Sequence, residues 1–490
     1  MIYVRIEAMR KIPKEVEIVV QELEKSGFEA YVVGGCVRDL LLQREPEDWD
    51  VTTNAKPEEI QKIFPENFYE NKFFTVTVRT GSDIPKLQEI EVTTFRSDHK
   101  YTDRRRPGEV RYAKTLQEDL SRRDFTVNAV ALRNSEIIDP FEGRKDLNAK
   151  LIRAVGEPAA RFQEDALRMM RAARLATVLD FKIEEETKKA IQACSQLLEE
   201  ISEERVRDEF LKIIMADHAM SGIELLHELG LLRYIVPELE EGYGVAQNKH
   251  HKYTVWEHNV LSLDYAAKQK WSSSVRIAAL LHDVAKPRVK QGTGSNATFY
   301  NHEMVGAKMA KEILSRLKFS GKDIETITKL IRYHMFYYNV DEVTESSVRR
   351  LVRKIGPEHV DDLLKLRMAD RIGSGVPKAQ PYKLRHWQYM VEKAARDPIS
   401  VTSLKVNGDD IMKLLGVDPG PRIGWILHVL FGDVLEDPQK NEREHLETRV
   451  RELNKLSDEE LRKLAEKTKE EMDRIEIAED ESVKQKYFVK

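Results

Sequence analysis

Two aspartates separated by one residue, Asp48 and Asp50 in EDWDVTT, are the first side chains that could do chemistry. The surrounding residues predict a strand, whose two-residue period puts both carboxylates on one face. Adjacent anions repel unless a cation lies between them, and Mg²⁺ prefers such oxygen ligands. Since a two-metal phosphoryl-transfer site needs two or three carboxylates, we expect a third, Glu91, with Glu89 as the alternative.

A glycine turn in GGCVRD comes shortly before these aspartates. Gly34 and Gly35 would let backbone N–H groups approach a triphosphate, and Arg38 on the following helix could add its guanidinium. Alone, a Gly-Gly turn or an Asp-x-Asp pair is more typical of a structural role. In the order strand, Gly-Gly, helix and Asp-x-Asp within one short segment, they indicate a nucleotidyltransferase.

A second group of chemical side chains lies in the middle of the chain, where six of the 13 histidines fall between residues 250 and 334. In ALLHDVAKP an apolar helix carries a His–Asp pair into its core, where an unpaired charge is costly and a metal removes that cost. Mixed nitrogen and oxygen ligands suit Mn²⁺, Ni²⁺, Co²⁺ or Fe²⁺ better than a structural zinc site. The candidate ligands are His258, His282, Asp283, His302, His334 and Asp370.

Three further residues of this part of the chain have different expected roles. Lys286 could help to bind an anion, whereas His250 and His251 are not expected to be ligands.

The elements that must position these groups change character near Leu151. Before it, strand-like segments such as FFTVTVRT, EIEVTTF and FTVNAVAL alternate with short helices, which predicts a small α+β domain with a mixed or antiparallel sheet. After it, helical periodicity continues to the end, and ARFQEDALRMMRAARLATVL is predicted to be one long helix. We expect an α+β head (1–150), a helical neck (151–240), a histidine-rich body (241–376) and a helical tail (377–490).

Composition excludes several classes of protein. Lys plus Arg number 80 and Asp plus Glu 84, for a net charge of −4, so the chain is not globally basic, although a local basic surface remains compatible with nucleic-acid binding. No apolar run approaches the ~18 residues that span a bilayer, and the N-terminal residues lack a signal-peptide pattern. Cys36 and Cys194 are expected to be reduced, so we predict a cytoplasmic protein without a membrane segment.

The motifs GGCVRD, DWDVTT, EVTTFR, RRDFTVNA, DPFEGRKDL and EDALRMMRAARLA, in this order, resemble those of class II CCA-adding enzymes and their poly(A) polymerase relatives. The resemblance implies a polymerase β-type nucleotidyltransferase head in which Asp48 and Asp50 bind Mg²⁺, with Glu91 as third carboxylate. It implies nucleotide contacts at Gly35 and Arg38.

Further roles follow from RRDFTVNA. The resemblance implies that Arg123 contacts the incoming triphosphate and that Asp124 and Asn128 help to read the ribose and to set the active-site loop. Without the motif, Asp124 would be taken for a helix or turn cap.

Base selection would fall to the predicted helix that carries Asp165 and Arg168, followed by Arg171 and Arg174. Spacing alone favours a surface salt-bridge ladder. A carboxylate only accepts and a guanidinium only donates, so one Asp–Arg pair can bond both cytosine and adenine and is mismatched with guanine and uracil. In the resembled family this EDxxR segment has that role, and Arg171 and Arg174 would be nucleotide contacts.

The segment from Arg96 to Leu116 is basic, with three consecutive arginines, and could be a mobile solvated loop. In the resembled family, a flexible loop here reshapes the pocket for the last adenosine. Its presence favours full CCA addition or A addition over an enzyme that adds only CC.

The order H…HD…H…H…D resembles the HD phosphohydrolase superfamily, with His258, His282, Asp283 and Asp370 as core ligands. His302 and His334 would hold a second metal or contact phosphate. The resemblance implies hydrolysis of 2′,3′-cyclic phosphates, 2′-nucleotides or phosphate ends.

The tail segment 403–431, with glycine turns before two helices, is assigned to tRNA binding, although an ordinary helical hairpin explains it equally well.

Taken together, these features predict template-independent CCA addition to tRNA from CTP and ATP, with no protein partner implied. Three alternatives stay open: an enzyme restricted to A addition or poly(A) synthesis, an alarmone-type enzyme fused to an HD domain, and a non-catalytic tRNA-binding scaffold.

Overall fold

The protein was analysed as a computed structural model that describes residues 12–70, 74–101, 107–134, 136–248, 252–336, 338–340, 342–395 and 404–489. The three consecutive arginines at 104–106, and His250 and His251, lie outside these residues. The chain divides into two compact units. One comprises Met1–Met335 and Asp361–Pro377, and the other Phe336–Val360 and Lys378–Lys490.

A seven-stranded mixed sheet forms the head, with the strand order β3-β4-β5-β2-β1-β8-β9. β2 and β5 run parallel, and the other neighbouring pairs are antiparallel. This sheet confirms the predicted α+β head. Its strands are β1 (Ala30–Val33), β2 (Asp50–Thr53), β3 (Asn67–Glu70), β4 (Thr75–Arg79), β5 (Glu89–Thr94), β8 (Ala131–Arg133) and β9 (Glu136–Ile138).

Short helices cover this sheet. The first buries Val16, Val19, Val20 and Leu23, whose spacing gives the helix one apolar face against the sheet core. The third begins with Pro57, where the missing N–H costs nothing. The head helices are α1 (Lys14–Lys25), α2 (Gly35–Leu41), α3 (Pro57–Ile63), α4 (Leu116–Ser121) and α5 (Gly143–Ala149).

Two strand predictions in the head need correction. β2 begins at Asp50, so Asp48 lies just before the strand rather than on it. FTVNAVAL is not one strand, because Thr126–Asn128 form a 3₁₀ turn and only Ala131–Arg133 pair with the sheet. The predicted loop after β5 contains a hairpin of β6 (Arg96–Tyr101) and β7 (Pro107–Tyr112).

The neck also differs from its prediction, since the expected long helix is two helices separated at Asp165. That residue is extended, with φ −143° and ψ 104°, and its carboxylate accepts a hydrogen bond from the Leu167 amide at 3.1 Å. Such a side-chain bond to the backbone competes with continuation of the helix.

The neck elements are α6 (Pro158–Glu164), α7 (Leu167–Leu179), α8 (Glu185–Cys194), α9 (Glu203–Met215), α10 (Ala219–Glu228), α11 (Leu232–Ile235) and α12 (Pro237–Glu240), with a parallel pair of β10 (Leu151–Ile152) and β11 (Lys182–Ile183).

The histidine-rich body is helical. One close crossing positions its site: a Cβ on Gly373 would lie 2.7 Å from the His258 carbonyl oxygen. Glycine therefore lets the helix that carries Asp370 approach the helix that carries His258. The body helices are α13 (Val255–Lys268), α14 (Ser273–Leu281), α15 (Lys286–Val289), α16 (His302–Arg316), α17 (Gly321–Tyr333) and, after a helix of the second unit, α19 (Val360–Gly373).

The second unit has its own apolar core, which includes Ile411, Ile426, Leu430 and Leu461. Asn407 caps the helix that follows it by accepting from the Asp410 amide at 3.0 Å. No helix among the described residues is long and apolar enough to span a membrane. The helices of this unit are α18 (Glu345–Ile355), α20 (Tyr382–Ala395), α21 (Gly408–Leu415), α22 (Pro421–Glu436), α23 (Arg443–Leu453) and α24 (Asp458–Tyr487).

Candidate active site and metal centre

The carboxylates of the head meet at the parallel pair of β2 and β5. The register places Asp50 directly beside Glu91, whereas Glu89 lies opposite Arg79 and forms an ion pair with it at 3.7 Å. Burial raises the pKa of Asp50, and the nearby charge of Asp48 raises it further, although Arg123 acts in the opposite direction. A carboxyl group crowded in this way fits a divalent cation, which would relieve both effects.

The glycine turn lies against the same carboxylates. Gly34 has φ +86°, and a Cβ there would lie 2.7 Å from Arg123 Nη1 and 3.3 Å from Asp50 Oδ2. At the start of α2, a Cβ on Gly35 would lie 3.6 Å from Arg38 Nη2. The turn therefore lies close to the guanidinium groups of Arg38 and Arg123 and to the carboxylate of Asp50. The adjacent Cys36 is buried, which raises the pKa of its thiol to about 12 and rules it out as a thiolate nucleophile.

Asp124 and Asn128 connect the head to the neck through a chain of hydrogen bonds. Arg38 donates to Asn128 Oδ1 at 2.8 Å, and Asn128 donates to Asp124 Oδ1 at 3.0 Å. Arg171 on α7 donates to Asp124 Oδ2 at 2.8 Å. Burial alone would raise the pKa of Asp124, but Arg171 and Asn128 outweigh it and hold this pKa below its usual value. The carboxylate is thus fixed as an anion that orients both arginine-bearing helices.

The segment predicted to select the base is held by partners that sequence spacing did not indicate. Asp165 accepts from Arg205 Nη2 at 2.8 Å, and Arg168 donates to Glu164 at 2.9 Å and to the Arg122 carbonyl at 3.0 Å. The prediction that one helix carries both Asp165 and Arg168 is wrong, because α6 ends at Glu164 and α7 begins at Leu167.

Arg174 forms an ion pair with Glu209, with Nε 2.8 Å from Oε2, and Glu209 is only 4% exposed. Sequence reasoning missed both Glu209 and Arg205. They lie four residues apart on α9, and a charged residue on the apolar side of an amphipathic helix could have drawn attention to them.

The six candidate metal ligands of the body converge at one buried place. His258 Nε2 lies 2.9 Å from His282 Nε2, 3.0 Å from Asp283 Oδ2 and 3.4 Å from Asp370 Oδ1. On the other side of Asp283, its Oδ1 atom lies 3.4 Å from His302 Nε2 and 3.8 Å from His334 Nε2. Two overlapping groups with the spacing of metal ligands therefore share Asp283.

Helix ends orient these imidazoles. His282 and His334 directly follow α14 and α17, and His302 begins α16. The Nδ1 atom of each lies 2.6–2.9 Å from the carbonyl oxygen three residues earlier. With the proton on Nδ1, each Nε2 presents its lone pair to the cluster, as metal-binding histidines require.

The charges of the cluster also fit a cation. Asp283 Oδ1 and His302 Nε2 are buried and make no hydrogen bond in the described structure. Burial opposes ionisation of Asp283, but Lys286 at 2.6 Å and the neighbouring histidines hold its pKa well below the usual value. Lys286 thus faces a predicted ligand and also donates to Gln247 at 2.7 Å, another contact that the sequence did not suggest.

Fold and carboxylate site together define a polymerase-type nucleotidyltransferase that carries a second, histidine-rich domain. The family model described as "Poly A polymerase head domain" matches residues 30–153, and "Probable RNA and SrmB- binding site of polymerase A" matches 180–242. The HD domain model matches residues 255–366. The head domain and the HD domain imply the use of divalent metal ions.

Relatives that match over most of their length identify the family within this class of nucleotidyltransferases. The chain is 32% identical to the CCA-adding enzyme of Enterococcus faecalis (88% of this chain, 94% of the relative) and 33% identical to that of Lactococcus lactis (91% and 99%). It is also similar to the Bacillus stearothermophilus CCA-adding enzyme in complex with CTP, with a TM-score of 0.59, 28% identity and coverage of 91% and 98%. The chain belongs to the family of CCA-adding enzymes.

Proposed function

We propose that this protein adds CCA to the 3′ ends of tRNA from CTP and ATP without a nucleic-acid template. The tRNA 3′-hydroxyl attacks the α-phosphorus, the new phosphodiester bond forms, and the bond to the β-phosphate breaks, releasing pyrophosphate. The observation that carries this proposal is the register of Asp50 beside Glu91, with the Gly34 turn and Arg123 closing on the same carboxylate.

Asp48, Asp50 and Glu91 would hold Mg²⁺, which suits hard oxygen ligands. When bound, the metal activates the attacking hydroxyl and offsets charge on the triphosphate. The protein's own contribution is to orient the substrate. The Arg123 guanidinium, close to the position of a Gly34 Cβ, binds the triphosphate beside the carboxylates. Gly34 and Gly35 leave room for its approach, and Arg38 borders this space.

Selection of the base falls to Asp165 and Arg168, with Arg171 and Arg174 lining the approach. Arg205 fixes the accepting carboxylate and Glu164 fixes the donating guanidinium. Cytosine and adenine offer an amino donor beside a ring-nitrogen acceptor, so they satisfy both groups. Guanine and uracil leave the groups unpaired, at a cost of ~1–3 kcal/mol each.

The six predicted metal ligands of the HD domain form one cluster, called here the HD cluster. This cluster would give the protein a phosphohydrolase activity toward phosphate ends, 2′-nucleotides or 2′,3′-cyclic phosphates. His258, His282, Asp283 and Asp370 would hold a transition metal such as Mn²⁺, Ni²⁺ or Co²⁺, with His302 and His334 at a second position. Removing a damaged phosphate end would precede rebuilding of the tRNA 3′ terminus.

The proposed function gives each part of the chain a role. Residues 1–150 form the catalytic head, 151–240 the neck that reads the base, 241–376 the phosphohydrolase domain and 377–490 the tail that binds tRNA. A cytoplasmic location accords with these substrates.

The deciding experiment incubates purified protein with tRNA that ends at the discriminator base, together with CTP and ATP. We expect three added nucleotides, ending in A, and no addition by Asp48→Ala. Loss of base choice in Asp165→Ala would support the role of the neck. Adenosine addition alone would indicate an A-adding enzyme or poly(A) polymerase, and tRNA binding without a single turnover would indicate a scaffold.

A further inference from the structure

A cavity of about 630 Å³ opens beside the HD cluster. Its size suits a nucleotide-sized ligand. Predicted metal ligands form one side, and the loop before α16 and the end of α19 form the others. Among the described residues, its charged lining consists of Asp283, Lys286, Glu303, Arg367, Asp370 and Arg371.

Positive and negative side chains in this lining are equal in number. With neutral imidazoles, the walls therefore add no net charge of their own, and a bound divalent cation leaves the cavity positive. The ligand that balances this charge is a dianion. A phosphomonoester carries two negative charges near neutral pH, whereas a phosphodiester carries one.

Two arginines lie at the α19 side of the cavity. Arg367 and Arg371 are four residues apart, which places them on the same face of the helix. Arg367 donates to the predicted ligand Asp370 at 2.6 Å. Both arginines line the cavity. An anion bound between the two guanidinium groups would accept charge-assisted hydrogen bonds from each of them.

An exposed aromatic side chain borders the same cavity. Tyr300 is 72% exposed and precedes His302 by two residues in the chain. A large aromatic ring left open beside a phosphate-sized site is suited to stacking on a nucleobase.

We propose that Arg371, beside Arg367, forms a phosphate subsite and that Tyr300 stacks on the base, so that the HD cavity prefers nucleoside phosphomonoesters to phosphodiesters. This inference rests on the proposed phosphohydrolase activity and names residues that determine its specificity. In the reaction, a water oxygen bonds to phosphorus and the ester P–O bond breaks. The leaving alcohol takes up a proton, and inorganic phosphate is the other product.

The role of Arg371 is tested with the full-length protein, p-nitrophenyl phosphate and bis(p-nitrophenyl) phosphate. Arg371→Ala should lower kcat/KM for the monoester about tenfold to a hundredfold, the loss expected for a charge-assisted hydrogen bond, and leave the diester within about threefold. Arg371→Lys should recover part of the loss. Arg233→Ala, an exposed arginine of α11, is the control and should behave as wild type. Equal losses for both esters, or none, would overturn the phosphate subsite.

Tyr300 is tested with 2′-AMP against p-nitrophenyl phosphate. Tyr300→Ala should raise KM for 2′-AMP about tenfold, the effect of one lost stacking contact, and leave p-nitrophenyl phosphate unchanged because that ester has no nucleobase. Tyr243→Ala, another exposed tyrosine, should match wild type. A similar change for both substrates would reject base stacking.

Binding supplies a readout that needs no turnover. Saturation-transfer NMR of 2′-AMP with EDTA-treated protein should show adenine proton signals that weaken in Tyr300→Ala, and a higher Kd in Arg371→Ala. If wild type hydrolyses no phosphate ester with Mn²⁺, Ni²⁺ or Co²⁺, the proposed activity fails, and the binding comparison still decides the subsite. If wild type is active and neither variant changes binding or specificity, the subsite fails alone.

Discussion

At the scale of single residues, Gly34 is a position of the head's candidate site that tolerates little change. A Cβ would meet Arg123 and Asp50, and φ +86° strains any other residue. We expect Gly34→Ala to lower nucleotide addition about a hundredfold, since small displacements in an active site have that effect. The measurement is single-turnover CMP incorporation.

Gly27→Ala is the matched control, because Gly27 has φ +89° and no atom lies within 4 Å of the place that an alanine methyl group would take. It should lose about 1 kcal/mol of stability through backbone strain while keeping its activity. Equal activity losses in both variants would show that strain alone, rather than contact with Arg123, explains the effect.

Asp119 contributes to the stability of the head, and this contribution is lost in acid. It is fully buried and pairs with Arg122 at 2.9 Å. Burial opposes its ionisation, but the charges of Arg122 and Arg123 hold its pKa below the usual value. Because the folded pKa is the lower one, this stabilisation is present above the unfolded pKa of about 4 and is lost as pH falls through the folded pKa.

Asp119→Asn should therefore destabilise the protein by about 3 kcal/mol at pH 7, as removal of one buried charge partner does, and by less in acid. Thermal unfolding between pH 7 and about pH 2, a range that extends below the unfolded pKa of about 4, measures the difference. Glu142→Gln is the control. It breaks the ion pair with Lys145, which has the same three-residue spacing but side chains that are 71% and 75% exposed, so the stability should not change measurably. A pH-independent difference for Asp119→Asn would contradict the linkage.

At the scale of elements, base selection depends on contact between α9 and the junction of α6 and α7. Arg205 holds both oxygens of Asp165, at 2.8 and 3.3 Å. In Arg205→Ala this carboxylate can rotate, so we expect discrimination of CTP over UTP to fall about tenfold. Competitive incorporation assays measure it. Arg207→Ala, on the same helix but bound to Asp208, is the control. Unchanged discrimination in a stably folded Arg205→Ala protein would rule out this positioning role.

At the scale of the whole molecule, the two candidate sites share no side chain. Asp50→Asn should abolish nucleotide addition and keep phosphate-ester hydrolysis, and His282→Gln should do the reverse. Nucleotide incorporation and phosphate release from the same protein preparations measure both activities. Loss of both activities in either variant, without unfolding, would mean that the sites are coupled.

Metal replacement should separate the sites as well. After EDTA treatment, Mg²⁺ should restore nucleotide addition, because the three predicted ligands of the head are carboxylates. Mn²⁺, Ni²⁺ or Co²⁺ should restore hydrolysis at the imidazole-rich cluster. Both activities are assayed after addition of one metal at a time. Full recovery of hydrolysis with Mg²⁺ alone would contradict the assigned ligand chemistry.

Local sequence determined a large part of this protein. Apolar spacing gives α1 its buried face, a proline begins α3 and an asparagine caps the start of α21. The mixed head sheet followed from short runs rich in Val, Thr and Ile. The motifs around Asp50 and His282 indicated two kinds of candidate site, because side chains held by one turn or strand remain close together in any fold that keeps that element.

Only the tertiary structure decided which distant groups meet. Strand register placed Glu91 rather than Glu89 beside Asp50, and packing of α9 brought Arg205 to Asp165. The break at Asp165 depends on a side-chain bond that helical periodicity does not reveal. These two pairs of partners lie 41 and 40 residues apart in the chain, so their pairing follows from the folding of whole elements against one another and leaves no local pattern in the sequence.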